Sequence, residues 1–279
     1  MLFDLQSPRR RRVVKFVYGG LALLLGAGLI AGTFGSGGGN GSILDTIFGG
    51  GGNSTASTAF DDQIKQAEAK LTVNPQDPQA LLSLVTLHVQ KGQQELNVDS
   101  STGQQSPTVD STTDFQKAAD SWAAYLKTKP NKLSGTAAQQ VAQGYLFLAE
   151  SSTTAAAADA NLKGAADAQK IAAEQTPTLG SLSTLAQYLY FAGDTAAADQ
   201  AGKEALAKAS ASQKTQLTQS LAQIKKVAAQ IRQQIDTAAK QEKAQAKAGG
   251  TAAGGTAGGN PFQNPLGSSG GLGGSGLGQ

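Results

Sequence analysis

The chain has no cysteine and, in 279 residues, one histidine, one tryptophan and one methionine. Without cysteine it can form no disulfide, no thiolate metal site and no sulfur nucleophile. With His88 as the only histidine, HExxH zinc sites and histidine clusters are excluded, and no His-centred triad is evident. His88 itself reads as a packed helical residue. No glycine-rich loop opens a helix after a strand, and GxxxxGK[ST] does not occur. The sequence thus contains no catalytic constellation, no metal site and no cofactor site, and a non-enzymatic role is expected.

Positive charge is also scarce over one long interval. After Arg9, Arg10, Arg11, Arg12 and Lys15 there is no Lys or Arg until Lys65. Between them lies an uncharged stretch, Phe16 to Phe34, of 19 residues, close to the ~20 that a helix needs to cross a bilayer. The basic flank then acts as a topology signal, with the N-terminus inside and the rest outside the cytoplasmic membrane. Residues 1–12 form the basic cytoplasmic end and 13–34 the transmembrane helix. A cleaved signal peptide is the rival reading, although AGLIAGTFGS at residues 27–36 holds no clear A-x-A site; a twin-arginine export signal fits the residues after Arg12 poorly. Residues 1–34 carry +4 of the chain's formal +3, so the remainder is −1. Such a remainder has no basic stripe for nucleic acid.

Residues 35–59 are a Gly/Ser/Thr-rich linker, in which Ile43, Leu44, Ile47 and Phe48 could form one apolar turn. Residues 249–279 are again rich in Gly, Ser and Ala and are expected to be disordered, with Phe262, Leu266, Leu272 and Leu277 as isolated apolar points. Between them, an Ala-, Gln-, Leu- and Lys-rich region shows helical periodicity. Prolines 75, 78, 107, 130 and 177 separate its periodic segments. The spacing predicts helices near 60–73, 78–91, 112–128, 134–151, 155–175, 179–192, 195–209 and 211–247, with a polar loop over 92–111. Asp61, Asp62 and Asp194 read as helix starts. The expected class is all-α: antiparallel helix pairs over 60–210, then one long helix over 211–248.

Leu182 to Leu206, LSTLAQYLYFAGDTAAADQAGKEAL, carries the strongest internal signal. Leu182, Leu185, Ala186 and Leu189 line one face, Gly193 and Asp194 make a turn, and Ala198, Gly202 and Ala205 line a second helix. Small residues let two such helices approach while large ones fill the seam. This segment resembles a tetratricopeptide repeat. Weaker copies end at Pro177 (Ala165, Gln169, Ala172), Pro130 (Ala118, Trp122, Tyr125) and Pro75 (Gln63, Ala67, Lys70), with first helices carrying Val141, Ala142 and Tyr145, or Leu81, Leu84, Val85 and His88. Their prolines stand 55 and 47 residues apart, against the family's period of about 34. Leu217, Leu221, Ile224, Ala228, Ile231, Ile235 and Ala238 alternate by four and three, the spacing of a coiled-coil seam or of a helix capping the last repeat.

The resemblance implies a groove, lined by the first helix of each pair, that binds a protein or peptide. Carried over by position, the groove residues are Leu82, Thr86, Val89 and Gln90, then Gln139, Gln143, Leu146 and Phe147, then Ser183, Gln187, Tyr190 and Phe191. They include no charge, so the clamp by which some family members hold a C-terminal carboxylate is missing. Tyr190 and Phe191 are the expected anchors, provided they are not buried in the core. The expected function is a membrane-anchored scaffold, adaptor or chaperone-like subunit outside the cytoplasmic membrane. The alternatives are a self-assembling envelope protein, a homo-oligomer joined by the final heptads and by Gly28 and Gly32 in the span, or a secreted protein after signal cleavage.

Overall fold

The computed structural model describes residues 53–101 and 105–249. The expected span at 13–34, its topology signal Arg9, Arg10, Arg11, Arg12 and Lys15, most of the linker and the tail lie outside the described residues. Among the described residues no helix is long and apolar enough to cross a membrane. They are all-helical apart from one short ribbon: α1 Asn53–Val73, α2 Pro78–Gln94, β1 Asn97–Val98, β2 Gln105–Ser106, α3 Val109–Lys127, α4 Gly135–Ser151, α5 Ala155–Gln175, α6 Leu179–Ala192, α7 Thr195–Lys208 and α8 Ala211–Gly249. The chain divides after Lys240 into two units: the first holds the helix packing, and the second includes the end of α8.

Short polar side chains set the helix starts by satisfying the first free amides. Asp77 accepts from the Gln79 and Ala80 amides, with Pro78 opening α2. Ser134, Thr154 and Asp194 accept from Ala137, Ala157 and Ala197. Thr108 with Ser111 and Thr178 with Ser181 form reciprocal capping boxes. Gly193 ends α6 at φ +88°, a left-handed conformation that costs glycine little. Asp61 and Asp62 are not helix starts, contrary to the sequence reading. The Ser/Thr/Ala run after Asn53 is already helical, which places both carboxylates inside α1.

The segment 92–111 also differs from a plain polar loop. Helix α2 continues to Gln94, then β1 and β2 pair antiparallel, with Asn97 opposite Ser106 and Val98 opposite Gln105. Thr108 ties this ribbon back by donating its hydroxyl to the Glu95 carbonyl at 2.9 Å.

Consecutive helices from α1 to α7 pack against one another, and their short connections favour an antiparallel arrangement. In the α4–α5 pair, a Cβ at Gly135 would stand 2.9 Å from Gln175 Cβ, and one at Gly164 would stand 2.9 Å from Tyr145 Cε1. Only glycine lets the Tyr145 ring lie flat on α5. Helices α2 and α4 run side by side in the same direction: Leu82, early in α2, shares a cleft with Leu133 and Ser134 near the start of α4, and Gln93, in the last turn of α2, donates its Nε2 to Gln143 Oε1 midway along α4 at 3.3 Å.

Four apolar clusters hold the helices. The first joins α5 to α8 through Leu162, Leu182, Leu185, Tyr190, Phe191, Ala201, Leu221, Ile224 and Ala228. The second joins α2 to α6 around Val85, Trp122, Tyr125, Val141 and Tyr188. The third holds the ribbon end, where Phe115 stacks on Phe147 at 5.0 Å. The fourth is small and attaches α1: Phe60, Ile64 and Ala67 against Leu84 and Leu87. Burial of apolar area in these clusters supplies the main stabilisation. The seam of α8 faces this chain's own core, since Leu217, Val227, Ile231 and Ile235 also pack against the first cluster.

Candidate functional site

Helix α2 is two-sided. Leu81, Leu84, Val85, His88 and Gly92 are buried, and the opposite stripe, Gln79, Ser83, Thr86, Gln90 and Gln93, reaches solvent or is half-buried. The equivalent stripe on α4 is Thr136, Gln139 and Gln143, all exposed. Because the two helices lie parallel and adjacent, the stripes merge into one face of amides and hydroxyls with no charged group from α2 or α4. On its α1 side the face dips into a cleft of about 490 Å³ whose walls include Gln63, Gln66 and Lys70 of α1 and Leu82, Ser83, Thr86 and Gln90 of α2. At the start of α4 it continues into a cleft of about 400 Å³ lined by Pro78, Leu82, Pro130, Leu133 and Thr136.

Six of the groove positions read from sequence belong to this face or its margin: Leu82, Thr86, Gln90, Gln139, Gln143 and the half-buried Leu146. Ser183 is half-buried and gives its hydroxyl to the Leu179 carbonyl at 2.7 Å. Val89, Phe147, Gln187, Tyr190 and Phe191 are corrected: all five are buried. Val89 and Phe147 turn toward Phe115 of α3. Phe191, 2% exposed, packs into the cluster of α5 to α8. Tyr190, 6% exposed, donates its hydroxyl to Asp199 of α7 at 2.5 Å, and Lys225 Nζ of α8 stands 5.6 Å from its ring centre. Helix α8 covers the side of α6 on which the two aromatics lie, so they cannot anchor a partner.

A charge cluster absent from the sequence reading lies behind the cleft. His88 Nδ1 donates to Asp114 Oδ1 at 2.6 Å, with both side chains buried. Lys91 Nζ lies 2.8 Å from Asp61 Oδ1 and 3.7 Å from Asp114 Oδ2. One ammonium on α2 thereby joins α1 to α3. Its hydrogen bond to Asp61 raises the Lys91 pKa, against its burial. Burial works to raise Asp114, but the His88 hydrogen bond and the Lys91 charge hold it below the ordinary carboxyl range. Beside it, burial first and the Asp114 charge second push Glu95 up to about 7. Glu95 Oε2 is buried and meets no donor. The signal for this cluster in the sequence is the i, i+3, i+7 spacing of His88 and Lys91 in α2 and Glu95 at its C-cap.

Glu150 stands alone. Both carboxylate oxygens are buried without a partner, and burial lifts its pKa to about 7. Its place in the last turn of α4 adds the negative end of the helix dipole. A third cleft, of about 760 Å³, includes Lys163, Lys225 and Arg232. Those cations are already matched: Arg232 and Lys163 to Asp159, Lys225 to Asp199. Among the described residues no group of three or more acidic or histidine side chains is placed to hold a metal ion. Comparison with protein-family models, with curated proteins and with solved structures yields no match.

Proposed function

We propose that this chain is a membrane-anchored helical-repeat protein, tetratricopeptide-like in arrangement, that binds other polypeptides outside the cytoplasmic membrane as a scaffold, adaptor or chaperone-like subunit. The observation that carries the reading is the parallel adjacency of α2 and α4, each the first member of a helix pair, with an uncharged amide and hydroxyl face along both. Side-chain amides donate and accept at once, so such a face can hydrogen-bond an extended backbone without demanding a charged partner. Leu82 and Leu146 add apolar contact at its margins. The rival reading, self-assembly through the final heptads, has less support, because Leu221, Ile224 and Ala228 are buried within this chain.

The test is photocrosslinking in cells, with a photoreactive residue at Gln90, Gln139 or Gln143 and, as controls, at the exposed Asp167 or Lys170 of α5. Discrete polypeptide adducts from the first three positions and none from the controls are expected. Equal labelling from both sets, or none from either, would overturn the reading. Protease accessibility on intact and permeabilised cells checks the proposed side of the membrane.

A further inference from the structure

We infer that α1 is a latched, displaceable wall of the α1–α2 cleft, and that the Asp61–Lys91–Asp114 bridge is the latch. Three independent features support this. Helix α1 is attached mainly through the smallest of the four apolar clusters, to which it contributes Phe60, Ile64 and Ala67, while the half-buried Leu71 touches both that cluster and the second. Its next stripe, Gln63, Gln66 and Lys70, lines the cleft. The polar link from α1 to the charge cluster is the Asp61 carboxylate on Lys91, 2.8 Å away.

The latch is built to yield at one joint. Asp114 is 6% exposed and is also held by His88, whereas the Asp61 side chain is 45% exposed. The Lys91–Asp114 side is therefore shielded, while the Lys91–Asp61 joint is open to water and to salt screening. The charged and titratable groups around Lys91 are Asp61 from α1, His88 from its own helix and Glu95 at that helix's C-cap, and Asp114 and Asp110 from α3. Losing the Asp61 joint loosens α1 while leaving the α2–α3 link in place. Because α1 is one wall of the cleft, its displacement widens the cleft. That this widening regulates partner access rests on the reading of the α2–α4 face as a polypeptide-binding surface.

The experiment uses the full chain with Asp61→Asn, and Lys65→Asp as a control that changes charge on α1 without touching Lys91. Amide hydrogen exchange is followed helix by helix at low and high salt. A partly exposed charge pair contributes up to about 1 kcal/mol, so exchange in residues 60–73 should quicken about fivefold in Asp61→Asn at low salt. It should quicken similarly in the unaltered chain at high salt, with α2 to α7 unchanged. Since the chain has no cysteine, spin labels at Lys65→Cys and Gln139→Cys report the distance between α1 and α4, which should broaden in Asp61→Asn. Unchanged α1 exchange in the variant, or a uniform quickening of all helices, would overturn the latch. Looser α1 with unchanged photocrosslinks from Gln90 would overturn its regulatory role and leave the proposed function standing. Absence of crosslinks in the unaltered chain would instead strike the proposed function alone.

Discussion

Replacing Glu150 with Gln removes one charge from a place where nothing compensates it. In the folded chain burial holds its pKa near 7, against an ordinary value of 4.5. The unfolded chain therefore releases the Glu150 proton first as pH rises, and stability falls between about pH 4.5 and 7 before levelling off. The full shift corresponds to at most about 3 kcal/mol. Glu150 is only half-buried as a residue, so solvent screening reduces this to about 1–2 kcal/mol. The assay is urea unfolding of both chains at pH 5 and pH 8, read through Trp122, the single tryptophan, which is 3% exposed. At pH 5 the carboxyl is mostly protonated in the folded state but already largely ionised in the unfolded chain, so the variant should lead by about 0.5–1 kcal/mol. At pH 8 the variant should be the more stable by about 1–2 kcal/mol. Glu95 titrates in the same window, but it contributes equally to both chains and cancels in the difference. Equal stabilities at both values, or a less stable variant at pH 8, would refute the argument that Glu150 is an uncompensated charge.

Three other outcomes are expected from the packing. Gly164→Ala drives a methyl into the Tyr145 ring; the gain in helix propensity offsets part of the strain, and a net loss of about 1–2 kcal/mol is expected in thermal unfolding. Phe115→Ala removes a ring that stacks on Phe147 and covers Gly92 and Gly144, and should cost about 3–5 kcal/mol in denaturant unfolding. Thr178→Ala dismantles the capping box of α6; a loss of about 1 kcal/mol is expected, with faster amide exchange confined to the first turn of that helix.

The limits of α4 to α8 were legible to within about two residues because they are written locally, whereas the start of α1, the end of α2 and the start of α3 were not. Pro75, Pro130 and Pro177 interrupt the periodic segments, and Gly193 with Asp194 ends one helix and starts the next within two residues. The α2 and α4 parts of the face were legible for a related reason: Thr86, Gln90, Gln139 and Gln143 stand opposite apolar stripes that must turn inward. Helix α6 allowed no such inference. Leu182, Leu185, Ala186, Tyr188, Leu189, Tyr190 and Phe191 are apolar nearly all round, and a helix of that kind does not declare an outer side.

The residues alone determined the all-α class of the described region and most helix ends at identifiable breaks, since capping, glycine conformation and hydrophobic periodicity act over a few residues. The tertiary structure decided which surfaces remained. It turned the final heptads inward, buried Tyr190 and Phe191 beneath α8, and brought Asp61, His88, Lys91, Glu95 and Asp114 from three helices into one cluster. Those outcomes depend on contacts between segments tens of residues apart. Periodicity within one helix shows that a face is apolar or charged, but only the packing of its neighbours determines what that face meets.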